Sequence, residues 1–347
     1  MKKRVFSGTR ATGRLHIGNY FGAIKGYIDL QNNKDLDCVY MVVDLHSITT
    51  PFTPGDLTTL TKHVVLDYLG AGLDPEKSLV TLQSLVPEHA YLSWLFSAVV
   101  STAQLQHLPT FKEKVKQHPE NVNLALLSYP VLMAADILIY KAEFVPVGVD
   151  QMPHIEIARD IARRVNKRFG TKLPVPERFA TPVSYVPSLS GIGKMSKSVG
   201  DSIFLVDSLD DIKKKVAGIP TNSGKGTIET EEKENHVVKI FKDEKGVEAP
   251  GLAPLFGFVE MFQGKDKMDE YEAAYKDDGV RFGDLKKALA SAIYKELEPI
   301  QERRAEYESN DKLVDEILME GAKKSRKIAG ETLAEMQEAY GFYQPGK

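Results

Sequence analysis

The stretch Ser7–Ala23, SGTRATGRLHIGNYFGA, constrains the fold more than any other part of the chain. It follows apolar Val5 and Phe6 and carries Gly8 and Gly13. Apolar Leu15, Ile17, Tyr20, Phe21 and Ile24 then recur at helical spacing. The pattern predicts the end of a buried strand, a glycine turn, and a helix over Leu15–Leu30. Glycine supplies backbone angles that other residues resist. A helix entrance offers unpaired N–H groups and the positive end of a dipole, so the corner suits phosphate. Gly18 removes the side chain that would keep a nucleotide off the backbone, and His16 and Asn19 are expected to offer donors in one direction. A buried corner, with His16 satisfied by a carbonyl and Asn19 by the helix, fits the same letters.

The segments that follow alternate in the same way. Asp37–Asp44 contains the unbroken apolar run Cys38–Val43, typical of a strand covered on both faces. Pro54–Leu69 reads as a helix, Leu79–Gln83 as a strand, and Glu88–Val100 as a helix carrying Trp94. Asn123–Tyr140 is an apolar helix in which Pro130 predicts a kink or break near Ser128. Phe144–Val147 reads as a short strand and Gln151–Phe169 as a helix with basic last turns. Such alternation predicts an α/β fold with a doubly wound parallel sheet and ligands at the carboxyl ends of its strands. Ile203–Val206 reads as one last strand and Gly218–Glu234 as a polar surface loop. Leu252–Gln263, Phe282–Tyr307 and Asp311–Tyr340 read as helices. Residues 1–205 are therefore expected to form a catalytic domain and 206–347 a helical one.

A second motif bears on chemistry. Gly191–Gly200, GIGKMSKSVG, sets Lys194 and Lys197 among Met195, Ser196, Ser198 and glycines. A lysine pair in a glycine-flanked loop can close over a triphosphate and neutralise charge as it moves to the leaving group. A solvated basic loop is the plain alternative. The chain's formal net charge of −3 means that an RNA partner would have to be met by local patches. Lys213–Lys215, Arg303–Arg304 and Lys323–Lys327 are the candidates, each of which also reads as a solvated helix face. No apolar run follows MKKRVFSG or approaches membrane-spanning length, so a cytoplasmic chain is expected. The single cysteine, Cys38, excludes an internal disulfide and cysteine-based zinc or iron–sulfur sites, and the histidines show no HExxH spacing.

His16-Ile-Gly-Asn19 and Lys194-Met-Ser-Lys-Ser198 resemble the two signatures of the class I aminoacyl-tRNA synthetases, in that family's order. Between them, Tyr129–Leu138 (YPVLMAADIL), Val145–Gln151 (VPVGVDQ), Val43–His46 and Phe111–Lys114 are similar to the tryptophanyl-tRNA synthetase family. The likeness covers most of the catalytic half and continues more weakly through Pro299–Arg303. One departure is that the family usually has a proline in the turn before HIGN, where this chain has Ala11.

The resemblance implies a Rossmann-like core with a C-terminal helical domain that binds the tRNA anticodon. It implies activation of L-tryptophan by ATP and transfer to the terminal ribose of tRNA(Trp) by a homodimer. Mg²⁺ would be held mainly through the nucleotide, with no metal site, membrane or DNA partner. It assigns His16, Asn19, Lys112, Lys194 and Lys197 to catalysis. ATP would be bound by Thr9, Arg10, Thr12, Gly18, Asn19, Gly148, Asp150, Lys194, Met195, Ser196, Lys197 and Ser198. Tryptophan would be bound by Phe6, Ser7, His46, Tyr129, Met133, Asp136, Val145, Val147 and Gln151. Elementary chemistry runs beside this assignment. Tryptophan presents a flat apolar body and one N–H, so a selective pocket needs an aromatic or thioether lining and a single buried acceptor. Tyr129, Met133 and Asp136 share a helix face, and the apolar surroundings Ala134–Tyr140 point to a buried, paired carboxylate. The resemblance gives the indole N–H to Asp136, ring packing to Met133 and Phe6, and the ammonium to Tyr129 and Gln151. His46 reads equally well as a satisfied core histidine. Tyrosyl-tRNA synthetase, a small-molecule adenylyltransferase and an RNA-binding synthetase paralogue are the alternative functions.

Overall fold

The strands β1 (Lys3–Thr9), β2 (Leu36–Val42), β3 (Ser78–Leu82), β4 (Phe144–Pro146) and β5 (Glu177–Phe179) pair in parallel in the order β3-β2-β1-β4-β5. The computed structural model describes residues 2–180, 186–191, 193–195, 201–233 and 236–345. The apolar run in β2 is buried from Cys38 onward because helices cover both faces of a parallel sheet. Strand order reverses at β1, which has β2 on one side and β4 on the other. In such sheets the crevice at the carboxyl ends of the two strands flanking the reversal takes the ligand.

The helices in chain order are α1 (Ile17–Asn19), α2 (Lys25–Gln31), α3 (Asp56–Ala71), α4 (Glu88–Ser97), α5 (Thr102–Gln106), α6 (Pro109–Gln117), α7 (Leu124–Leu138) and α8 (Met152–Phe169). They continue with α9 (Leu209–Ala217), α10 (Leu252–Gln263), α11 (Lys265–Lys276), α12 (Phe282–Glu308) and α13 (Asp311–Ala339). The expected helix over Leu15–Leu30 starts later, at Ile17, and contains a π-helical turn at Tyr20–Ile24 between α1 and α2. α7 is capped by Asn123, whose Oδ1 accepts from Leu126 N–H, and it runs through Pro130 without the expected break. Packing against α4 and α8 outweighs the hydrogen bond that proline removes.

The chain forms two compact units, and neither is contiguous. The first comprises Met1–Gly13, Ala23–Ser184 and Arg304–Lys347; the second comprises Arg14–Gly22 and Tyr185–Arg303. This differs from a division at 205/206. The first signature belongs to the second unit, and α13 returns to the first. In the first unit α13 lies along β3, an edge strand: Thr81 Oγ1 donates to Leu318 O at 2.9 Å, and a Cβ on Gly321 would stand 2.1 Å from Val80 O. Arg304, read as part of a basic surface cluster, is instead 4% exposed, and its Nε donates to the fully buried Asp67 at 2.8 Å.

The second unit holds two further corrections. Part of the expected loop at Gly218–Glu234 is β6 (Gly226–Lys233), paired antiparallel with β7 (His236–Asp243). Its alternating letters are too polar to announce a strand, and Gly226 is required because a Cβ there would fall 1.9 Å from Lys242 O. Ile203–Val206 does not extend the parallel sheet. It pairs with the signature corner, where Ile17 N–H donates to Ile203 O and Leu205 N–H to Leu15 O, both at 2.9 Å.

Candidate active site

A cavity of about 180 Å³ opens at the reversal point in the first unit, lined by Phe6, Ser7 and Gly8 of β1 and Arg10 after it, by Val145 of β4 and Val147 and Gln151 after it, and by Tyr129, Met133 and Asp136 on α7. Val43, His46 and Ile137 complete it. Small-molecule pockets usually enclose about 300–1,000 Å³, so this one suits a single amino acid. The walls are apolar and aromatic, as a flat hydrophobic ring requires. Gly8 is needed because a Cβ there would meet Val43 Cγ1 at 2.6 Å.

Asp136 is 1% exposed and accepts from three side chains. His46 Nε2 lies 2.7 Å from Oδ2; Gln83 Nε2 and His89 Nδ1 lie 2.7 and 2.6 Å from Oδ1. Burial works to raise its pKa, but the hydrogen bonds and charge of His46 and His89 prevail and hold the carboxyl at about 2. It is therefore an anion at neutral pH. His46 is at once a satisfied buried histidine and part of the cavity wall.

Tyr129 meets His154 Nε2 at 2.7 Å and donates to Thr110 Oγ1 at 3.0 Å. Burial, with the nearby His46, lowers His154 to a pKa of about 4, so it is neutral. Its buried Nδ1 has no partner among the described residues. An unpaired acceptor costs less than an unpaired N–H, so the proton sits on Nε2 and is given to the Tyr129 oxygen. Arg10 borders both this cavity and a neighbouring one lined by Thr110, Glu113 and Lys114. Its guanidinium donates to Thr50 Oγ1 at 2.8 Å, while the buried Nε lacks a partner among the described residues. Burial lowers its pKa. Ala11, in place of the family's proline, gives its N–H to Ser47 Oγ at 2.9 Å, a bond that proline could not make.

In the second unit His16 caps α1. Its Nδ1 accepts from Asn19 N–H at 3.2 Å, and its own N–H donates to Asn19 Oδ1 at 3.1 Å. The two residues thus face each other in a capping box instead of pointing outward together. The N–H groups of Ile17 and Asn19, expected to meet phosphate, are paired within the chain. Gly18 is fixed by crowding, since a Cβ would lie 2.8 Å from His16 Nδ1 and 3.3 Å from Met195 Cβ. That contact brings the two signatures together. Gly191 and Gly193 adopt positive φ of 82° and 76°, and Met195 N–H donates to Val186 O at 2.9 Å, shaping the entry to the second signature. Lys194 is exposed; Ser196, Lys197 and Ser198 lie outside the described residues.

The remaining expected residues divide. Ser7 lines the cavity but shares its hydroxyl with Tyr27 Oη at 2.7 Å. Gln151 lines both cavities and donates to Asp150 at 2.9 Å; a Cβ on Gly148 would crowd Asp150 Oδ1 at 2.4 Å. Thr9 closes β1, Thr12 is exposed in the turn, and Lys112 is exposed on α6 and lines neither cavity, unlike its neighbours Glu113 and Lys114. Sequence reasoning missed Gln83, His89, Tyr140 and His154, which are dispersed along the chain and belong to no motif. Among the described residues no three His, Cys, Asp or Glu side chains are grouped to hold a metal ion.

A parallel sheet with its ligand crevice at the β1/β4 reversal, and a HIGN corner whose Gly18 lies against Met195 of the KMSKS signature, define a class I aminoacyl-tRNA synthetase. The family model described as tRNA synthetases class I (W and Y) matches residues 1–298. The tryptophan–tRNA ligase of Porphyromonas gingivalis is 37% identical over 97% of this chain and 99% of its own. That of Clostridium acetobutylicum is 36% identical over 100% and 99%. The crystal structure of tryptophanyl-tRNA synthetase from Campylobacter jejuni complexed with ADP and tryptophan superposes with a TM-score of 0.82 at 32% identity, covering 98% of this chain and 100% of that one. A tyrosyl-tRNA synthetase from Archaeoglobus fulgidus, at 19% identity and a TM-score of 0.64 over 87% of this chain and 90% of that one, shares the fold. The chain belongs to the tryptophanyl-tRNA synthetases.

Proposed function

We propose that this tryptophan–tRNA ligase seats L-tryptophan in the cavity beside Asp136. The single observation carrying this reading is a buried, ionised carboxylate in a largely apolar cavity of amino-acid size. The indole N–H donates to Asp136 while Phe6, Met133, Val145 and Val147 enclose the ring. Tyr129, its oxygen accepting from His154 and its proton committed to Thr110, keeps one lone pair for the substrate ammonium, and Gln151 supplies a second acceptor.

The substrate carboxylate, already ionised, attacks the α-phosphorus of ATP. A carboxyl O–P bond forms, the bond to the bridging oxygen breaks, and pyrophosphate leaves with that electron pair. No general base is required, so catalysis consists of positioning and charge stabilisation. Arg10, with an unpartnered Nε, suits the α-phosphate or the attacking carboxylate. As the family resemblance implies, ATP binding is assigned to Thr9, Thr12, Gly148, Asp150, His16, Gly18, Asn19, Lys194 and Met195, with Ser196, Lys197 and Ser198. Lys112, Lys194 and Lys197 are assigned to neutralising charge on the departing pyrophosphate. Mg²⁺ is assigned to the nucleotide's own phosphate oxygens, where it neutralises charge.

A terminal ribose hydroxyl of tRNA(Trp) then attacks the aminoacyl carbonyl. The ester bond forms, the bond from that carbonyl to the phosphate oxygen breaks, AMP leaves with that electron pair, and the hydroxyl proton passes to the departing phosphate. The anticodon we assign to helices beyond residue 206, in the cytoplasm. A homodimer covering the exposed Trp94 (78%) and Tyr91 (45%) of α4 fits the apolar character of that face. Pyrophosphate exchange tests the central reading: tyrosine and phenylalanine should fall below tryptophan by about 10⁴–10⁵ in kcat/KM. Comparable exchange with tyrosine would overturn it.

A further inference from the structure

Two of the three donors to Asp136, Gln83 and His89, line neither cavity and are 0% exposed. Gln83 follows β3 at the start of a 3-10 turn and His89 stands in the first turn of α4, so separate elements converge on one carboxylate. A carboxylate offers about four lone-pair positions. Oδ1 receives two donors and Oδ2 receives one, from His46, which leaves a single acceptor position, on Oδ2.

When His89 gives its Nδ1–H to Oδ1, its Nε2 is left facing the Tyr140 hydroxyl 2.8 Å away, which holds the ring by a hydrogen bond. Burial pushes Tyr140 far above the ordinary phenol range, so it remains a donor. The same ring stacks on Phe6 with centroids 5.5 Å apart and planes at 13°, and Phe6 lines the cavity. Gln83 shows the same orientation from another side. Its Oε1 is buried with no partner among the described residues, and reversing the amide would set oxygen against the carboxylate.

We propose that Tyr140, His89 and Gln83 are positioning residues for substrate choice: His89, held by Tyr140, and Gln83 occupy both lone pairs of Asp136 Oδ1 and thereby turn the one remaining acceptor, on Oδ2, to the indole N–H. The inference rests on the reading of Asp136 as the indole acceptor. It adds that selectivity is set by residues that touch no substrate. A carboxylate free to rotate would present either oxygen, accept from water or a hydroxyl, and discriminate less.

The test is pyrophosphate exchange by the full chain with tryptophan and with its analogue bearing sulfur in place of the indole nitrogen. The variants are Asp136→Asn, His89→Leu, His89→Asn and Tyr140→Phe. The wild type should prefer tryptophan by about 10–100-fold, the worth of a hydrogen bond to a charged acceptor, and Asp136→Asn should lose that preference. His89→Leu should lose about tenfold of it through a higher KM for tryptophan, with kcat/KM for the analogue nearly unchanged. His89→Asn places an amide N–H where Nδ1–H stood and should restore most of the preference, and Tyr140→Phe should fall between. Equal losses for both substrates in His89→Leu, or failure of asparagine to restore the preference, would mean a merely structural role and overturn the proposal. A preference lost in Asp136→Asn but intact in all three other variants would overturn it while sparing the reading of Asp136. No preference in the wild type would remove both.

Discussion

His154→Gln should make the protein more resistant to acid. Folded, His154 holds its pKa at about 4, chiefly through burial; unfolded, it should titrate near the ordinary value of about 6.5. Between those values the unfolded chain binds one proton more than the folded one, so this group's contribution to stability rises with pH across the window and is lost as pH falls. A fall from about pH 7.5 to about pH 5 should remove roughly 2 kcal/mol, and the whole window roughly 3 kcal/mol. Glutamine carries its amide nitrogen near the position of Nε2, so it can still donate to Tyr129 but takes up no proton. Urea unfolding of both proteins at the two pH values gives a difference in which the other histidines cancel. The stability of the variant relative to wild type should improve by about 2 kcal/mol at the lower pH. Identical pH dependence in the two proteins would refute the argument that burial holds His154 neutral.

Three further outcomes follow from contacts already described. Ala11→Pro removes the N–H given to Ser47 and should cost about 1–2 kcal/mol, measured as a lowered Tm; a stabilised variant would show that the family's proline fits here after all. Gly18→Ala drives a methyl group into His16 and Met195 and should cut kcat for pyrophosphate exchange by tenfold or more, roughly 1.4 kcal/mol of transition-state stabilisation, with little change in KM for tryptophan. Arg304→Met leaves Asp67 charged and buried and should cost about 3–5 kcal/mol in urea unfolding, whereas adding Asp67→Leu should recover most of the loss.

The catalytic half was legible where function and packing speak through adjacent letters. β2 and α7 were written as apolar runs, and Tyr129, Met133 and Asp136 of YPVLMAADIL share one helix face because a single helix presents them. The companions of Asp136 were hidden because they reach it through space. Gln83 and His89 come from the end of one strand and the start of another helix, and no spacing rule connects either to a residue about fifty positions away. β6 was illegible because TIETEEK carries almost no apolar signal. The register of the units was hidden for a different reason. Contiguous sequence suggests contiguous domains, whereas the packing of Leu15–Ile17 on Ile203–Leu205 draws the first signature into the unit formed by the later chain.

That α13 lies along the edge strand β3 bears on how this protein stays dispersed. An edge strand presents a row of backbone groups that any other extended chain can bind, and proteins avoid such pairing by covering the edge. Here the cover is the last long helix, close enough that only glycine fits at Gly321 opposite Val80 O. A chain ended after α12 would keep the residues that line the cavity beside Asp136 but bare that edge, and it should be lost to clumping during expression before any weakness in charging tRNA could be measured. The final helix thus acts as a built-in guard against misassembly of the sheet it flanks.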